Sequence, residues 1–171
     1  MVEELLDFSK LSSGKIEFKF KNVDINTFLD GIRKQIEPRA YRENKIFSVI
    51  KENKNVFIEA DENRLKQVFM NLLDNAFNFT NAGDSVIIKV KEIDEEVVII
   101  VEDTGLGISK EDLPHVFEKF YKGRGSRSKN GIGLSVCKDI VEKMKGSIKI
   151  ESEENKGTRV YLAFPKGGVI V

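Results

Sequence analysis

The stretch VVIIVEDTGLGIS, residues 97–109, limits the possible folds more than any other part of the chain. Val97 to Val101 are consecutive apolar β-formers, the pattern of a strand deep in a sheet rather than one with a solvated face. The strand then meets Glu102 and Asp103 and gives up its side chains at Gly105 and Gly107. A strand that ends in a carboxylate and bare backbone is suited to receiving a ligand. Three readings fit these residues. One is a strand and a glycine turn with no further role. A second is the Asp-Thr-Gly loop of an aspartic protease, which as a dimer needs only one copy per chain. The third is a nucleotide pocket. There Asp103 accepts a hydrogen bond from an adenine amino group, and Gly105 and Gly107 remove Cβ atoms so that backbone can approach the base.

The neighbouring segments supply the layers around that strand. KIEFKF, residues 15–20, alternates with period two and is expected to be a strand. From Asp24, a plausible N-cap, Ile25, Phe28, Leu29, Ile32 and Ile36 share one helical face, and Pro38 is expected to bend this helix without ending it. Residues 46–50 and 56–60 read as strands. Asp61 caps a long helix through Phe79. Residues 85–93 and 97–101 form a hairpin across Asp94-Glu95-Glu96. Residues 138–146 close a helix with Gly146 at C′, and 147–152 and 158–164 form a last hairpin around Asn155-Lys156-Gly157. The fold class is α+β: a two-layer sandwich of a mixed, largely antiparallel sheet with helices on one face. The polar stretch Lys119–Asn130 is the only long loop.

The long helix carries a second pattern beside its apolar one. Leu65, Val68, Phe69, Leu72, Leu73 and Ala76 make the core face, while Arg64, Gln67, Asn71, Asn75 and Asn78 fall at steps of three and four along its edge. Asparagine in mid-helix costs roughly 0.5 kcal/mol against alanine, because its amide competes for the backbone. A solvated face would carry Lys and Glu, which this chain uses freely elsewhere. Neutral amides beside the core suit a polar cleft that holds a metal and phosphate oxygens. GIGL, residues 131–134, follows a basic loop and precedes a helix, where free N–H groups and the positive end of the dipole favour phosphate. Two Gly-x-Gly boxes, an Asn stripe and a basic loop between them favour the nucleotide reading together.

Composition removes other classes. Lys plus Arg equals Asp plus Glu at 28 each among 171 residues, so no net charge points to nucleic acid or a membrane surface. The single Cys137 excludes an intramolecular disulfide framework and suits a reducing, cytoplasmic compartment. No apolar run approaches the ~20 residues of a spanning helix, and the acidic start MVEELLDF does not read as a signal peptide.

RLKQVFMNLLDNAFNF, EDTGLGI, VFEKFY, GIGL and NKGT, in this order, resemble the N-box, first glycine box, F-box, second glycine box and third glycine box of the sensor histidine kinase catalytic domain. That domain belongs to the superfamily shared with gyrase, the heat-shock chaperone of the same fold and the mismatch-repair ATPases. The resemblance covers about residues 15–166. It implies a Bergerat-type ATP-binding fold, with ATP as substrate and Mg²⁺ as its partner ion. LLDFSKLSSGK resembles the end of a preceding dimerisation helix, which makes residues 1–14 its remnant and 167–171 a tail.

By that resemblance Asp103 reads adenine, Gly105, Gly107 and Ile108 shape the pocket, and Thr158 assists through water. Asn75 is the Mg²⁺ ligand, and Asn71, one turn earlier, faces the reacting end. Asn78 and Phe79 complete the wall. Gly131, Gly133 and the Leu134 amide hold phosphate. Lys119–Asn130 is the ATP lid, with Lys122, Arg124 and Arg127 as phosphate contacts and Phe117 and Phe120 as anchors packed on the core.

The resemblance also implies transfer of the γ-phosphoryl group to a histidine on a dimerisation segment, with a response regulator served indirectly. The isolated chain is expected to be a monomer without nucleic-acid or membrane contact. Departures are visible. The family commonly has Lys or Arg where Asn78 stands, Tyr where Phe79 stands, Gly where Asn155 stands, and Gly-x-Gly where Lys129-Asn130-Gly131 stands. The only histidine, His115, lies outside the acceptor context and reads as a packing or surface residue.

Overall fold

The computed structural model describes residues 9–10, 14, 16–121 and 133–167. Seven strands are present among them: β1 (Lys21–Asp24), β2 (Ile46–Ile50), β3 (Phe57–Ala60), β4 (Ser85–Ile93), β5 (Glu96–Asp103), β6 (Ser147–Glu153) and β7 (Gly157–Pro165). Three α-helices accompany them: α1 (Ile25–Arg42), α2 (Glu62–Asn78) and α3 (Gly133–Lys143). Residues Leu113–His115 form one 3₁₀ turn.

The main sheet has the order β2-β4-β5-β7-β6, with β2 parallel to β4 and the other pairs antiparallel. β5 is therefore central, which accounts for its unbroken apolar run. Val97, Ile99 and Val101 point into the core with Val86, Ile88, Val160, Leu162 and Phe164, all among the buried core residues. On the opposite face Glu102 pairs with Lys89 at 3.2 Å and with Arg159 at 3.4 Å. The adjacent acids thus part company: alternation sends Glu102 outward to two cations and Asp103 inward.

The helix starts follow the sequence. Asp24 accepts from the Asn26 N–H at 3.0 Å and caps α1, which runs through Pro38 to Arg42. Asp61 accepts from the Arg64 N–H at 3.1 Å and caps α2, whose Leu65, Val68, Phe69, Leu72, Leu73, Ala76 and Phe77 are buried.

Other expectations are corrected. Residues 16–20 form no ladder; β1 and β3 make a separate two-stranded sheet instead. The N–H of Lys19 donates to the Asp61 carboxylate at 2.9 Å, so this alternating segment is tied to a helix cap rather than to a neighbouring strand. At the end of α3 the left-handed residue is Lys145, with φ of 61°, and Gly146 follows it. The Gly146 N–H bonds to Val141 O and the Lys145 N–H to Glu142 O, the paired bonds of a Schellman cap with Gly146 one position further on. Its glycine is needed for space: a Cβ there would lie 2.7 Å from Ala163 O. Phe120 is 57% exposed, with φ of 63°, and is not buried in the core on which the resemblance placed it.

Candidate nucleotide site

Asp103 ends the central strand between Val86 of β4 and Thr158 of β7. It is 8% exposed, and burial pushes its carboxyl up to about 6 against the opposing pull of N–H donors from Gly105 and Thr158. The Gly105 N–H donates to Asp103 Oδ1 at 2.9 Å. The result is a carboxylate held in place by backbone and withdrawn from water. It is a strong acceptor with a marked preference for a ligand that donates.

Thr158 adds to this polarity. Ser152 donates its hydroxyl proton to Gly157 O at 2.9 Å and accepts from the Ile108 N–H at 2.8 Å. With the Ser152 proton used, the 2.8 Å contact between Ser152 Oγ and Thr158 Oγ1 takes its proton from Thr158. Thr158 Oγ1 is left as an acceptor near Asp103, its partner in register across β5 and β7. A pocket with acceptors on this side fits an exocyclic amine and disfavours a carbonyl. Ser152 had no place in the sequence reading. Its position opposite Thr158 across the last hairpin was the available signal.

The glycines act first on backbone packing. A Cβ on Gly105 would sit 2.2 Å from Phe79 O, one on Gly107 would sit 2.0 Å from Glu153 O, and one on Gly157 would sit 2.0 Å from Asp103 O. Gly107 also has φ of 67°. The Leu106 N–H bonds to Phe79 O at 2.9 Å, and the Asn155 N–H to Leu106 O at 2.6 Å. Residues 104–108 are therefore clamped between the end of α2 and the β6–β7 turn. Asn155, where the family has Gly, adopts φ of 65° as its short amide permits.

Asn71, Asn75 and Asn78 lie half-buried on α2, with Phe79 half-buried at its C-cap. The structure thus brings Asp103, Gly105, Gly107 and Thr158 to one end of β5, with Phe79 O bonded to the loop that follows it. Ile108 joins them through Ser152. Gly133 and Leu134 form the first turn of α3, which packs on α2 with Cys137 Sγ bonded to Val68 O at 3.7 Å. Lys122, Arg124, Arg127, Lys129, Asn130 and Gly131 lie outside the described residues.

The end of α2 is also fixed from the side away from α3. Lys45 Nζ, on a side chain only 5% exposed, donates to Phe77 O at 2.5 Å and to Glu43 Oε1 at 2.9 Å. Thr80 Oγ1 donates to Ala76 O at 2.9 Å. Near the first glycine box, His115 stacks on Tyr121 with ring centroids 5.0 Å apart, and Tyr121 donates to Asp112 at 2.6 Å. His115 is thus a surface packing residue.

Residues 60–168 match the family described as histidine kinase-, DNA gyrase B- and HSP90-like ATPase. The chain belongs to that family and is the ATP-binding catalytic domain of a sensor histidine kinase. It is 33% identical over 171 residues to the sensor histidine kinase YclK of Bacillus subtilis, covering 96% of this chain and 36% of that protein. The sensor protein RprX of Bacteroides fragilis is 32% identical, over 96% of this chain and 33% of its own length. The chain spans about a third of the length of these curated relatives.

Among solved structures, full-length ShkA in complex with AMPPNP superposes with a TM-score of 0.88 at 27% identity, covering 99% of this chain and 36% of that one. The catalytic domain of histidine kinase ThkA gives 0.77 at 27% identity, covering 87% of this chain and 99% of that domain. ThkA in complex with the response regulator TrrA gives 0.73 at 25%, covering 97% of this chain and 49% of that one.

Proposed function

We propose that this domain binds ATP at Asp103 and the Asn stripe and presents its γ-phosphoryl group to a histidine on a separate dimerisation segment. The observation that carries the reading is Asp103, a buried acceptor clamped by Gly105 and set beside Thr158. Asp103 receives the adenine amine, directly, and Thr158 receives it through water. Gly105, Gly107 and Ile108 keep the loop against α2 and the last hairpin. Phe79 is the aromatic wall.

Asn75 offers a hard amide oxygen to Mg²⁺. Among the described residues no group of three or more His, Cys, Asp or Glu side chains can hold a metal. A single protein donor with the rest supplied by phosphate and water fits magnesium, which keeps several waters and takes few protein ligands. Once bound, the ion supplies charge neutralisation at the phosphates. Gly133 and Leu134 at the N-terminus of α3 donate to phosphate. Gly131 and the lid cations Lys122, Arg124 and Arg127 complete the same grip. Asn71 faces the reacting end and orients by hydrogen bonding, since an amide removes no proton at neutral pH.

Residues 1–14 are read as the end of a dimerisation helix and 15–166 as the catalytic domain. The parent's other parts supply the acceptor histidine, and a response regulator receives the phosphoryl group from it. The ThkA–TrrA complex is the parallel for that last partner. No helix among the described residues is long and apolar enough to cross a membrane; we place the domain in the cytoplasm whether or not its parent is anchored.

The test is transfer of label from γ-labelled ATP, with Mg²⁺, to a supplied dimerisation segment carrying the acceptor histidine. The expected product is an acid-labile, base-stable phosphohistidine on that segment, lost with Asp103→Asn or Asn75→Ala. Steady phosphate release without a labelled segment would favour ATP hydrolysis instead. Nucleotide binding with neither product would leave a binding module.

A further inference from the structure

Three consecutive residues of the turn between α1 and β2 hold the stretch that leaves α2. Asn44 O accepts from the Gly83 N–H at 2.8 Å, the Ile46 N–H donates to Asp84 O at 2.9 Å, and between them the Lys45 ammonium donates to Phe77 O at 2.5 Å. Asn44 takes φ of 56° in this turn, a left-handed conformation that asparagine tolerates. The Lys45 side chain is 5% exposed, pairs with Glu43 at 2.9 Å and lies over the Phe77 ring, 5.6 Å from its centroid. A buried ammonium is tolerated only when paired and hydrogen-bonded. Its place is therefore fixed, and it fixes the carbonyl it holds.

Residues 79–85 have a second set of contacts, to the loop after β5. The Leu106 N–H donates to Phe79 O at 2.9 Å, the Thr104 N–H to Ser85 O at 3.1 Å, and the Ser85 N–H to Thr104 Oγ1 at 2.9 Å. Within that loop the Gly105 N–H holds Asp103 Oδ1 at 2.9 Å. A Cβ on Gly105 would lie 2.2 Å from Phe79 O, so the loop packs directly on the helix end. The direction of the Phe79 carbonyl thus decides where Leu106 and Gly105 sit. Phe79 lies only two residues beyond the carbonyl that Lys45 holds.

We propose that Lys45 is a positioning residue for adenine: by holding Phe77 O it sets the last turn of α2 and, through Phe79 O, the loop that fixes the Asp103 carboxylate. The proposal rests on reading Asp103 as the adenine acceptor. Lys45 does not itself touch the nucleotide. Its ammonium is spent on Phe77 O and Glu43, so it contributes placement and not charge.

The experiment is calorimetric titration of ADP and of IDP, without magnesium, into the wild-type chain, Lys45→Met and Val90→Ala. The two nucleotides differ at the base, where IDP has a carbonyl in place of the amino group. Met fills the place of the lysine and loses its donors. Val90→Ala is the control for stability: Val90 is buried in β4 opposite Ile99, five residues along the strand from Ser85, and its truncation leaves a cavity away from the loop. ADP should bind Lys45→Met roughly threefold to tenfold more weakly, the order of one hydrogen bond, while IDP, which gains nothing from Asp103, is little changed. The preference for ADP falls by the same factor. Val90→Ala keeps the wild-type preference, because every contact of the turn and the loop remains. Unaltered ADP binding in Lys45→Met overturns the proposal. Equal losses of ADP and IDP overturn it too, as does the same loss of preference in Val90→Ala, since either marks a general loosening of the fold. Where Lys45→Met is too unstable to titrate, all the chains are compared in sucrose, which strengthens burial in each alike. A wild-type chain that does not prefer ADP to IDP overturns the adenine reading itself, an outcome seen before any variant is made.

Discussion

At Asp103 the burial that would serve the proposed recognition of adenine also costs stability. Its carboxyl titrates near 3.8 in a model peptide and near 6 in the fold, chiefly through desolvation. Between those values the folded chain holds the proton more tightly than the unfolded one, so stability falls as pH rises through this window. The shift amounts to about 3 kcal/mol by the time the group is ionised. The ionised form is the better acceptor for an amine. Adenosine, which carries no titrating phosphate, should therefore bind about tenfold more weakly at pH 5 than at pH 7. Asp103→Asn should flatten that dependence and raise the urea midpoint at pH 8. Adenosine affinity that stays constant from pH 5 to pH 8 in the wild type would contradict this assignment. The sequence exposed Asp103 and its glycines because a strand ending in charge and bare backbone is a local pattern. It did not expose why Gly105, Gly107 and Gly157 are glycine. The atoms a Cβ would strike, Phe79 O, Glu153 O and Asp103 O, come from segments far along the chain.

The helices were legible for the same local reason: apolar spacing and an acidic cap define α1 and α2 without reference to the rest of the fold. Residues 16–20 were not, because the alternating pattern says nothing about which partner takes the Lys19 N–H, and here it is a carboxylate. Nor could the sequence show that α2 is finished from outside by a buried lysine. Lys45 satisfies the carbonyl of Phe77 at the helix terminus, where a cation is also favoured by the dipole. Lys45→Met should fill the same space yet leave that carbonyl only the Thr80 hydroxyl, 3.1 Å away, in place of its charged donor. A loss of about 1–3 kcal/mol in urea unfolding is expected. A change within experimental error would show that solvent replaces the lysine at no cost.

As a whole molecule, the domain joins the proposed adenine site at the end of β5 to an Asn stripe that offers no general base. Proton removal from attacking water is typically worth ~10²–10⁴ in rate, and Asn71 cannot perform it. The isolated chain should therefore release phosphate from ATP at close to the uncatalysed background. It should also carry no acid-labile label after incubation, since its sole histidine, His115, lies outside the acceptor context of the family. Label on His115, abolished by His115→Ala, would refute the second expectation, and steady turnover lost in Asn75→Ala would refute the first. The clamp on the pocket loop has one more consequence, which concerns synthesis. Gly157, whose backbone lies against Asp103, is made 54 residues after it. At ~5–20 residues per second that gap is roughly 3–10 s. During it the central strand β5 has already been made, while β7, which covers one of its edges, does not yet exist. On the ribosome the apolar run Val97–Val101 is left with an unpaired edge, the arrangement that invites pairing with another nascent chain.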